Sequence, residues 1–350
     1  MAPPSLIRRF WPLLALCLAL TSLVAVGSFG SQQMQVTMTE MLIRLVAVVG
    51  LYVFIGNSGI LSFGHIGFMC IGAYAAAWAT VDPTWKQMML TGLPDMLQQN
   101  QYGFLPAVAG GGLLAGAVAL VFGSAIMRLS GIAGSIATFA MLSIVNSVYS
   151  NWESVTAGTS SIVGVPTVVG PWVALAFALG TMAVAYAFQV SRFGLMLRAS
   201  RDDEVAAKSS AVGIVRMRLV AFVLSAVICG VSGALYAHFL GILTADTFWL
   251  GITFVTLAML VVGGVGSLAG AVCGVVAVTM IVEVLRHVEA GIPLGPFTLR
   301  IPQGSQEIGL GIAMALILIF RPAGLTRGNE VPWPFGARAK RRRLQRAPAA

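Results

Sequence analysis

The fold is decided by stretches such as residues 217–241, which read MRLVAFVLSAVICGVSGALYAHFLG. Apart from Arg218 this run has no Lys, Arg, Asp or Glu, and as a helix it is long enough to cross the roughly 30 Å hydrocarbon core of a bilayer. Across the chain 58% of the 350 residues are hydrophobic and 9% are charged, whereas a water-soluble domain carries about 25% charged residues. The sequence therefore indicates an integral membrane protein.

Apolar runs of this kind recur ten times. They lie near residues 9–29, 38–56, 59–81, 104–127, 131–149, 168–190, 217–241, 250–265, 268–286 and 306–320. Because the hydrocarbon layer holds no water, each run must satisfy its own backbone hydrogen bonds, and runs this long do so as helices. We expect an all-α protein with about ten transmembrane helices. The first run also resembles a signal peptide, but its length and the closeness of the second run favour a retained helix.

The basic residues test this count of spans. When ten spans alternate across the membrane, 17 of the 21 Lys and Arg residues fall on one side. They are Arg8, Arg9, Arg128, the six bases from Arg192 to Arg218 and the eight from Arg321 to Arg346. The positive-inside rule then places both termini in the cytoplasm. Eight or nine spans with a re-entrant segment is the alternative.

The chain is expected to hold one large domain and a tail. Residues 1–326 form the transmembrane domain, and residues 191–216 are its long cytoplasmic loop. Residues 327–350 contain the cluster KRRR at 340–343, so we expect a disordered basic tail held near anionic membrane lipid. A tail tethered to a membrane makes nucleic acid a poor partner.

Residues 56–72, GNSGILSFGHIGFMCIG, interrupt the second and third spans with glycine and polar residues. Such density favours one broken helix, and irregular backbone at membrane depth is tolerated only against protein or a water-lined cavity. In that case Asn57, Ser62 and His65 would line a pathway. The alternative is a simple tight turn between two spans with a packed histidine.

A second glycine-rich stretch, VVGGVGSLAGAVCG, covers residues 261–274. Gly266, Gly270 and Gly274 recur every fourth residue, which predicts a close-packing seam on one helix face. The chain has no G-x-x-x-x-G-K-[ST] loop, so it does not bind ATP by that device. Neither the three histidines nor the four cysteines show a metal-ligand spacing, so no cofactor is expected in this chain.

Residues 191–218, SRFGLMLRASRDDEVAAKSSAVGIVRMR, differ from a passive connection. An acidic triplet at 202–204 precedes the helix-favouring Val205-Ala206-Ala207, and Gly213 is a suitable helix stop. A short surface helix with exposed apolar residues suits a docking element. The alternative is an ordinary basic loop that obeys the positive-inside rule.

Ionisable residues inside the spans are few. Glu40 has Arg44 one helical turn away, Glu283 has Arg286 at i+3, and Glu307 opens the last span. The first two pairs can neutralise each other, whereas an ion-driven carrier usually places unpaired acids near the bilayer midplane. No nucleophile motif or metal cluster appears, which disfavours a membrane-embedded enzyme. A transport subunit and a stand-alone secondary transporter or channel both remain open at this point.

Several blocks together resemble the LivM branch of the branched-chain amino acid ABC importer permeases, over about residues 40–326. They are GNSGILSFGHIGFMCIGAYAAA (56–77), ATFAMLSIVNSVYSNWESVTAGTSSIVGVP (137–166), SRFGLMLRASRDDEVAAKSSAVGI (191–214), LSAVICGVSGALYAHFLGILTADTF (224–248), LVVGGVGSLAGAVCG (260–274) and FRPAGLTRG (320–328). Their number and order make the resemblance specific.

The resemblance implies a heteromeric importer in a bacterial cytoplasmic (inner) membrane. A second, homologous permease subunit would complete the pore, two separate subunits would bind and hydrolyse ATP, and a periplasmic or lipid-anchored binding protein would deliver substrate. The 191–214 loop would be the coupling element received by the ATPase. The residues that would give this element contact and shape are Arg198, Asp202, Asp203, Glu204, Ala207 and Gly213. The cargo would be a branched-chain amino acid, with urea or a short amide as the alternative within the same family.

Overall fold

The structure is a computed structural model that describes residues 6–290, 292–294, 297–299, 305–321 and 323–332. The described helices are α1 (Leu6–Gly27), α2 (Gln32–Ser58), α3 (His65–Thr80), α4 (Pro83–Met89), α5 (Asp95–Gln99), α6 (Phe104–Ile126), α7 (Gly131–Asn151), α8 (Glu153–Thr156), α9 (Pro171–Val190), α10 (Arg192–Asp202), α11 (Glu204–Ser209), α12 (Ile214–Leu240), α13 (Leu250–Gly263), α14 (Leu268–Ala290) and α15 (Ser305–Phe320). Two small antiparallel sheets pair β1 (Ile162–Val163) with β2 (Ile242–Leu243) and β3 (Ile292–Leu294) with β4 (Phe297–Leu299).

The expectation of an all-α membrane protein with about ten spans is confirmed. Eight helices in the described part of the chain are long and apolar enough to cross a membrane. The helices α3 and α15, of 16 residues each, occupy the other two predicted spans. The side of the membrane on which the termini lie stays a prediction. We call the end of the helix bundle that carries α10 and α11 the loop end, and the opposite end the far end.

The centre of the bundle is α12, which packs against α2, α3 and α6. Along the α2 contact, three small side chains of α12 donate to α2 carbonyls that lie about one helical turn apart. Ser225 donates to the Gly50 carbonyl at 2.6 Å and Ser232 donates to the Ile43 carbonyl at 2.8 Å. Between them Cys229 donates to Ala47. Since lipid provides no hydrophobic drive for helix association, such bonds and close packing hold membrane helices together.

The contact of α12 with α3 and α6 depends on glycine. A Cβ on Gly233 would lie 1.8 Å from the Met69 carbonyl oxygen, and one on Gly72 would lie 2.1 Å from the Gly230 carbonyl oxygen. A Cβ on Gly111 of α6 would likewise meet the Gly72 carbonyl, at 2.7 Å. The three helix backbones therefore touch where no larger residue fits.

The remaining long helices surround this core. The helix α9 packs on α2, α1 packs on α9, and α14 packs against α13, α2 and α15. The outer faces of α6 and α7 expose large apolar side chains such as Leu113, Val121 and Ile132. These faces are the surfaces that a bilayer would cover.

A buried lysine organises the loop between α3 and α6 at the far end. Lys86 of α4 is fully buried, and its ammonium donates to the carbonyls of Leu97 at 2.6 Å, Asn100 at 2.7 Å and Trp78 at 3.1 Å. Burial lowers the pKa of this amine, against the weaker opposing effect of Asp82. The three carbonyl contacts tie α4, α5 and the end of α3 together.

Residues after α15 fold back against the loop end. Leu325 donates to the Val262 carbonyl, and Thr326 bonds through both its backbone and its hydroxyl to the Gly263 carbonyl. The Glu330 carboxylate accepts from the backbone amides of Leu268 and Ala269 and so caps the first turn of α14. Residues 327–332, expected to begin the tail, thus pack against the bundle, and 333–350 lie outside the described residues.

Candidate functional site

The break in the α2–α3 region lies at the loop end of the bundle. The helix α2 ends at Ser58, and Gly59 follows with φ +74°, a left-handed conformation that glycine adopts without a Cβ penalty. Five more residues, 60–64, lead to His65, where α3 begins. We call residues 56–65 the α2–α3 junction. At 16 residues α3 rises only about 24 Å, less than the hydrocarbon thickness, so residues beyond its ends must complete the crossing.

Side chains from two other helices satisfy the irregular backbone of the junction. From α7, Ser135 donates to the Leu61 carbonyl at 2.6 Å, and the Thr138 hydroxyl accepts from the Phe63 amide at 3.3 Å. From α10, the Arg201 guanidinium donates to the Gly56 carbonyl at 2.7 Å. The junction is therefore held between α7 and α10 rather than being a free turn.

The three residues expected to line a pathway are close together and buried. Asn57 and Ser62 are buried, and Ser62 lies 2.7 Å from Nδ1 of His65, whose ring is 0% exposed. The His65 ring packs against Phe54 and Phe222, which also contact each other. In this conformation these side chains contact protein, and their role in a pathway stays a prediction.

The segment that carries the expected coupling residues forms two helices, α10 and α11, joined at Asp203. The Asp203 carboxylate accepts from the amides of Val205 and Ala206, both at 2.9 Å, and is the N-cap of α11. The expectation that Gly213 ends this short helix is wrong, because α11 ends at Ser209 and Gly213 precedes the first residue of α12. The serine pair and the positive φ of Ala211 end α11 earlier.

Most of the expected coupling residues make bonds within the chain. Arg198 donates to the Gln189 carbonyl at 2.7 Å, and Ala207 is buried. The Glu204 carboxylate pairs with Lys208 and with Arg218, both at 3.0 Å. Hydrogen bonding to Lys208, with a further contribution from Arg218, lowers the pKa of Glu204. These side chains fix the shape of the segment.

A different set of side chains in α10 and α11 faces outward. Val205 is 75% exposed, and Asp202 is exposed with only a 3.4 Å contact to Arg201. Ala206 and Lys208 are exposed beside them. An apolar tip flanked by charges of both signs is a surface that can receive a partner, and the Val205 side chain takes part in none of the ion pairs of the segment.

Arg201 joins this outward-facing segment to the α2–α3 junction. Its guanidinium binds the Gly56 carbonyl, and its methylene groups occupy the space in which a Cβ of Gly59 would lie, 2.6 Å away. Arg201 does not stand out in the sequence, since its partner is 145 residues away and basic residues are common in this loop. No local pattern could have identified it.

The predicted glycine seam divides into two parts. Gly270 and Gly274 lie on α14 against α13, and a Cβ on Gly274 would meet the Met259 carbonyl at 1.8 Å. Gly266 lies in the turn before Leu268, where α14 begins, so it is not on the same helix face. Its neighbour is Gly328 of the segment that folds back after α15. The spacing of every fourth residue predicts a shared helix face only when all three glycines lie in one helix, and α14 begins after Gly266.

The sequence of the chain is similar to those of known proteins. A family model described as the branched-chain amino acid transport system permease component matches residues 33–320. The high-affinity branched-chain amino acid transport system permease protein LivM of Salmonella typhimurium is 26% identical over 323 residues, which cover 82% of this chain and 68% of that protein. LivM of Escherichia coli is 25% identical over the same shares of both chains.

A third relative aligns with a shorter part of the chain. The probable branched-chain amino acid transport permease protein LivM of Methanocaldococcus jannaschii is 28% identical over 152 residues, which cover 41% of this chain and 41% of that protein. No solved structure matches the chain.

Proposed function

The chain belongs to the branched-chain amino acid transport system permease family, and from that premise we propose that it forms one half of a translocation pathway driven by separate ATPase subunits. The cargo is a branched-chain amino acid or a similar small polar solute. The partners are a second, homologous permease subunit, two ATP-binding subunits and a periplasmic or lipid-anchored substrate-binding protein. The assembly lies in a bacterial inner membrane.

The contact between Arg201 and Gly56 is the observation that carries this proposal. An ATPase that moves α10 and α11 would also move Arg201, and through its hydrogen bond the Gly56 carbonyl near the end of α2. Because the junction is irregular backbone held by side chains, it can change conformation without unwinding a continuous helix. The exposed tip at Val205 supplies the contact, and Arg201 transmits it.

This division of roles changes which substitution is informative. Charge reversal at Asp203 or Glu204 would break the N-cap of α11 or the ion pairs with Lys208 and Arg218, so a loss of coupling would not identify a docking contact. The exposed side chain of Val205 takes part in neither the N-cap nor these ion pairs. Val205→Glu therefore tests docking alone.

The experiment is co-purification of the full permease with its ATPase subunits. Val205→Glu should reduce ATPase association at least tenfold, because burial of an uncompensated carboxylate opposes docking. Val163→Glu, at a half-exposed valine of β1 at the far end, is the matched control and should assemble normally. Normal assembly and transport with Val205→Glu would show that α11 is not the docking element.

A further inference from the structure

A groove on the outer face of the bundle lies between α3, α6 and the loop that joins them. Its volume is about 610 Å³, within the range of roughly 300–1,000 Å³ found for small-molecule sites. Small residues of both helices line it, and they are Ala75 and Ala79 of α3 and Ala107 and Gly110 of α6. A Cβ on Gly110 would meet no atom within 4 Å. The groove is therefore open space that the two helices do not fill.

The groove follows α6 for about the depth of one bilayer leaflet. Pro106, Gly110 and Leu114 line it at four-residue spacing, so at 1.5 Å per residue this stripe covers about 12 Å of a helix about 35 Å long. The stripe lies in the half of α6 nearer the far end. Further along, the same helix exposes Leu120 and Val121 on a surface that lipid would cover. Half of a hydrocarbon core of roughly 30 Å is about 15 Å, so the groove matches one leaflet and not a complete crossing.

Aromatic side chains form the rim of the groove at the far end. Trp78 near the end of α3, Tyr102 before α6 and Trp152 after α7 all line it. Trp and Tyr are enriched at the level where a membrane meets water. The Trp78 indole donates to the Val155 carbonyl at 2.9 Å, which ties the end of α3 to the segment after α7. The rim is thus held by bonds within the chain.

The loop between α3 and α6 completes this rim. The Lys86 ammonium binds the carbonyls of Trp78 and Leu97, two residues that line the groove. On the outside of the loop, Met88 is 75% exposed and Met96 is 73% exposed. Apolar side chains exposed at a membrane surface enter the boundary between head groups and acyl chains. The loop and the aromatic rim therefore suit the membrane–water boundary.

The length of the groove favours an acyl chain over a protein helix as its occupant. A membrane-spanning helix of a partner needs about 20 apolar residues, or roughly 30 Å of contact. The groove offers about 12 Å along α6 before large exposed side chains resume. An acyl chain of the far-end leaflet needs no longer contact than this, and it enters from the lipid that covers the rest of the helix.

The charges at the rim select the head group. Asp95 follows the lining residue Pro94, and Glu153 follows the lining residue Trp152. Both acids are exposed, and neither forms an ion pair within the described part of the chain. The single base between positions 78 and 127 is Lys86, which is buried and directs its ammonium at carbonyls. The rim is therefore negative, so it attracts an ammonium group and repels an anionic head group.

We propose that this groove binds one acyl chain of a phospholipid whose head group carries an ammonium. The chain lies along residues 106–114 of α6, and the ammonium lies beside Asp95 and Glu153. The site goes beyond the proposed transport function, because lipid binding needs neither ATPase subunits nor cargo. A bound chain fills the space that the small residues of α3 and α6 leave open.

The test measures quenching of tryptophan fluorescence by brominated lipids in the full chain, reconstituted in phosphatidylglycerol nanodiscs. Bromine on an acyl chain quenches an indole that it contacts, and Trp78 and Trp152 line the groove. Phosphatidylethanolamine with brominated chains, added as a minor fraction, should quench more than the same fraction of phosphatidylglycerol with the same chains. Indoles that face bulk lipid respond equally to both lipids, so the excess reports the groove. Equal quenching by the two lipids would overturn the proposal.

Substitutions at Gly110 locate the site. Gly110→Phe fills the groove and should abolish the excess quenching. Gly180→Phe, at a glycine of α9 whose Cβ would also meet no atom within 4 Å, is the matched control and should retain it. Gly110→Leu is a smaller replacement and gives the same test if the phenylalanine variant does not fold. Excess quenching that persists in a folded Gly110 variant would overturn the assignment to this groove.

Two further measurements separate the head group from the chain and lipid from protein. The double variant Asp95→Asn, Glu153→Gln should lower the preference for phosphatidylethanolamine about threefold, the size expected of exposed ion pairs. An unchanged preference would overturn the role of the two acids. Loss of association with the second permease in Gly110→Phe, with lipid quenching unchanged, would identify a protein as the occupant and overturn the proposal.

Discussion

Gly233→Ala gives the sharpest prediction about the central helix packing. The added Cβ would lie 1.8 Å from the carbonyl oxygen and 2.7 Å from the carbonyl carbon of Met69, which are backbone atoms of α3. Backbone cannot rotate aside as a flexible side chain can, so α3 and α12 must part by roughly 1 Å or more. Overpacking of this kind costs about 1–3 kcal/mol.

The helix propensity of alanine opposes this cost. Replacing glycine within a helix gains about 1 kcal/mol, so a clash at the upper end of the range leaves a net destabilisation of about 2 kcal/mol. Separation of α12 from its neighbours also weakens the adjacent hydrogen bond from Ser232 to Ile43. We therefore expect a lower midpoint of thermal unfolding in detergent.

Thiol reactivity measures this unfolding directly. Cys70 on α3 and Cys229 on α12 are buried beside the contact and become available to a thiol-reactive dye when the helices separate. Gly180→Ala is the matched control, because no atom lies within 4 Å of its added Cβ. It should unfold at or slightly above the midpoint of the unmodified chain. A Gly233→Ala variant as stable as this control would refute the close backbone contact.

Three further predictions concern the loops. Arg201→Met removes the bond to Gly56 and keeps an apolar stem. Because hydrogen bonds to charged groups contribute about 1.5–3 kcal/mol, the assembled importer should hydrolyse ATP but transport at least tenfold less substrate per ATP. An unchanged ratio of transport to hydrolysis would contradict coupling through this residue. Lys86→Met leaves three carbonyls without their donor, so hydrogen exchange in the loop around α4 and α5 should rise while ATPase association is unchanged. Exchange equal to that of the unmodified chain would show that Lys86 does not hold α4, α5 and the end of α3 together. The pKa of Glu204 is held below its usual range chiefly by Lys208, so its stabilisation is full above the ordinary carboxyl pKa of about 4.3 and is lost as the pH falls through the lower folded value. The protection of α11 amides against hydrogen exchange, measured relative to the intrinsic exchange rate at each pH, should therefore decrease on acidification below about pH 4, and a Glu204→Gln variant that shows the same pH response would contradict this assignment.

The spans could be predicted from sequence because their cause is local. A run such as 217–241 must be helical in lipid wherever it packs, and α12 covers Ile214–Leu240. The interruption near residues 56–72 was visible for the same reason, since glycine and polar residues act on their own backbone. The structure adds that the connection is held by Ser135 and Thr138 of α7, which no local pattern indicates.

Contacts between distant segments could not be predicted in the same way. The partner of Arg201 is set by how α10 lies on α2, and the capping of α14 by Glu330 depends on a chain that returns after α15. Gly72 and Gly233 resemble the other glycines of the sequence, and only the approach of α3 to α12 gives them their role.

Uptake into proteoliposomes tests the central claim most directly. The chain should transport no branched-chain amino acid by itself under an imposed proton or sodium gradient. Uptake should appear only when the second permease, the ATPase subunits, the binding protein and ATP are all present. Gradient-driven uptake by this chain alone, without ATP, would contradict the account and identify a secondary transporter.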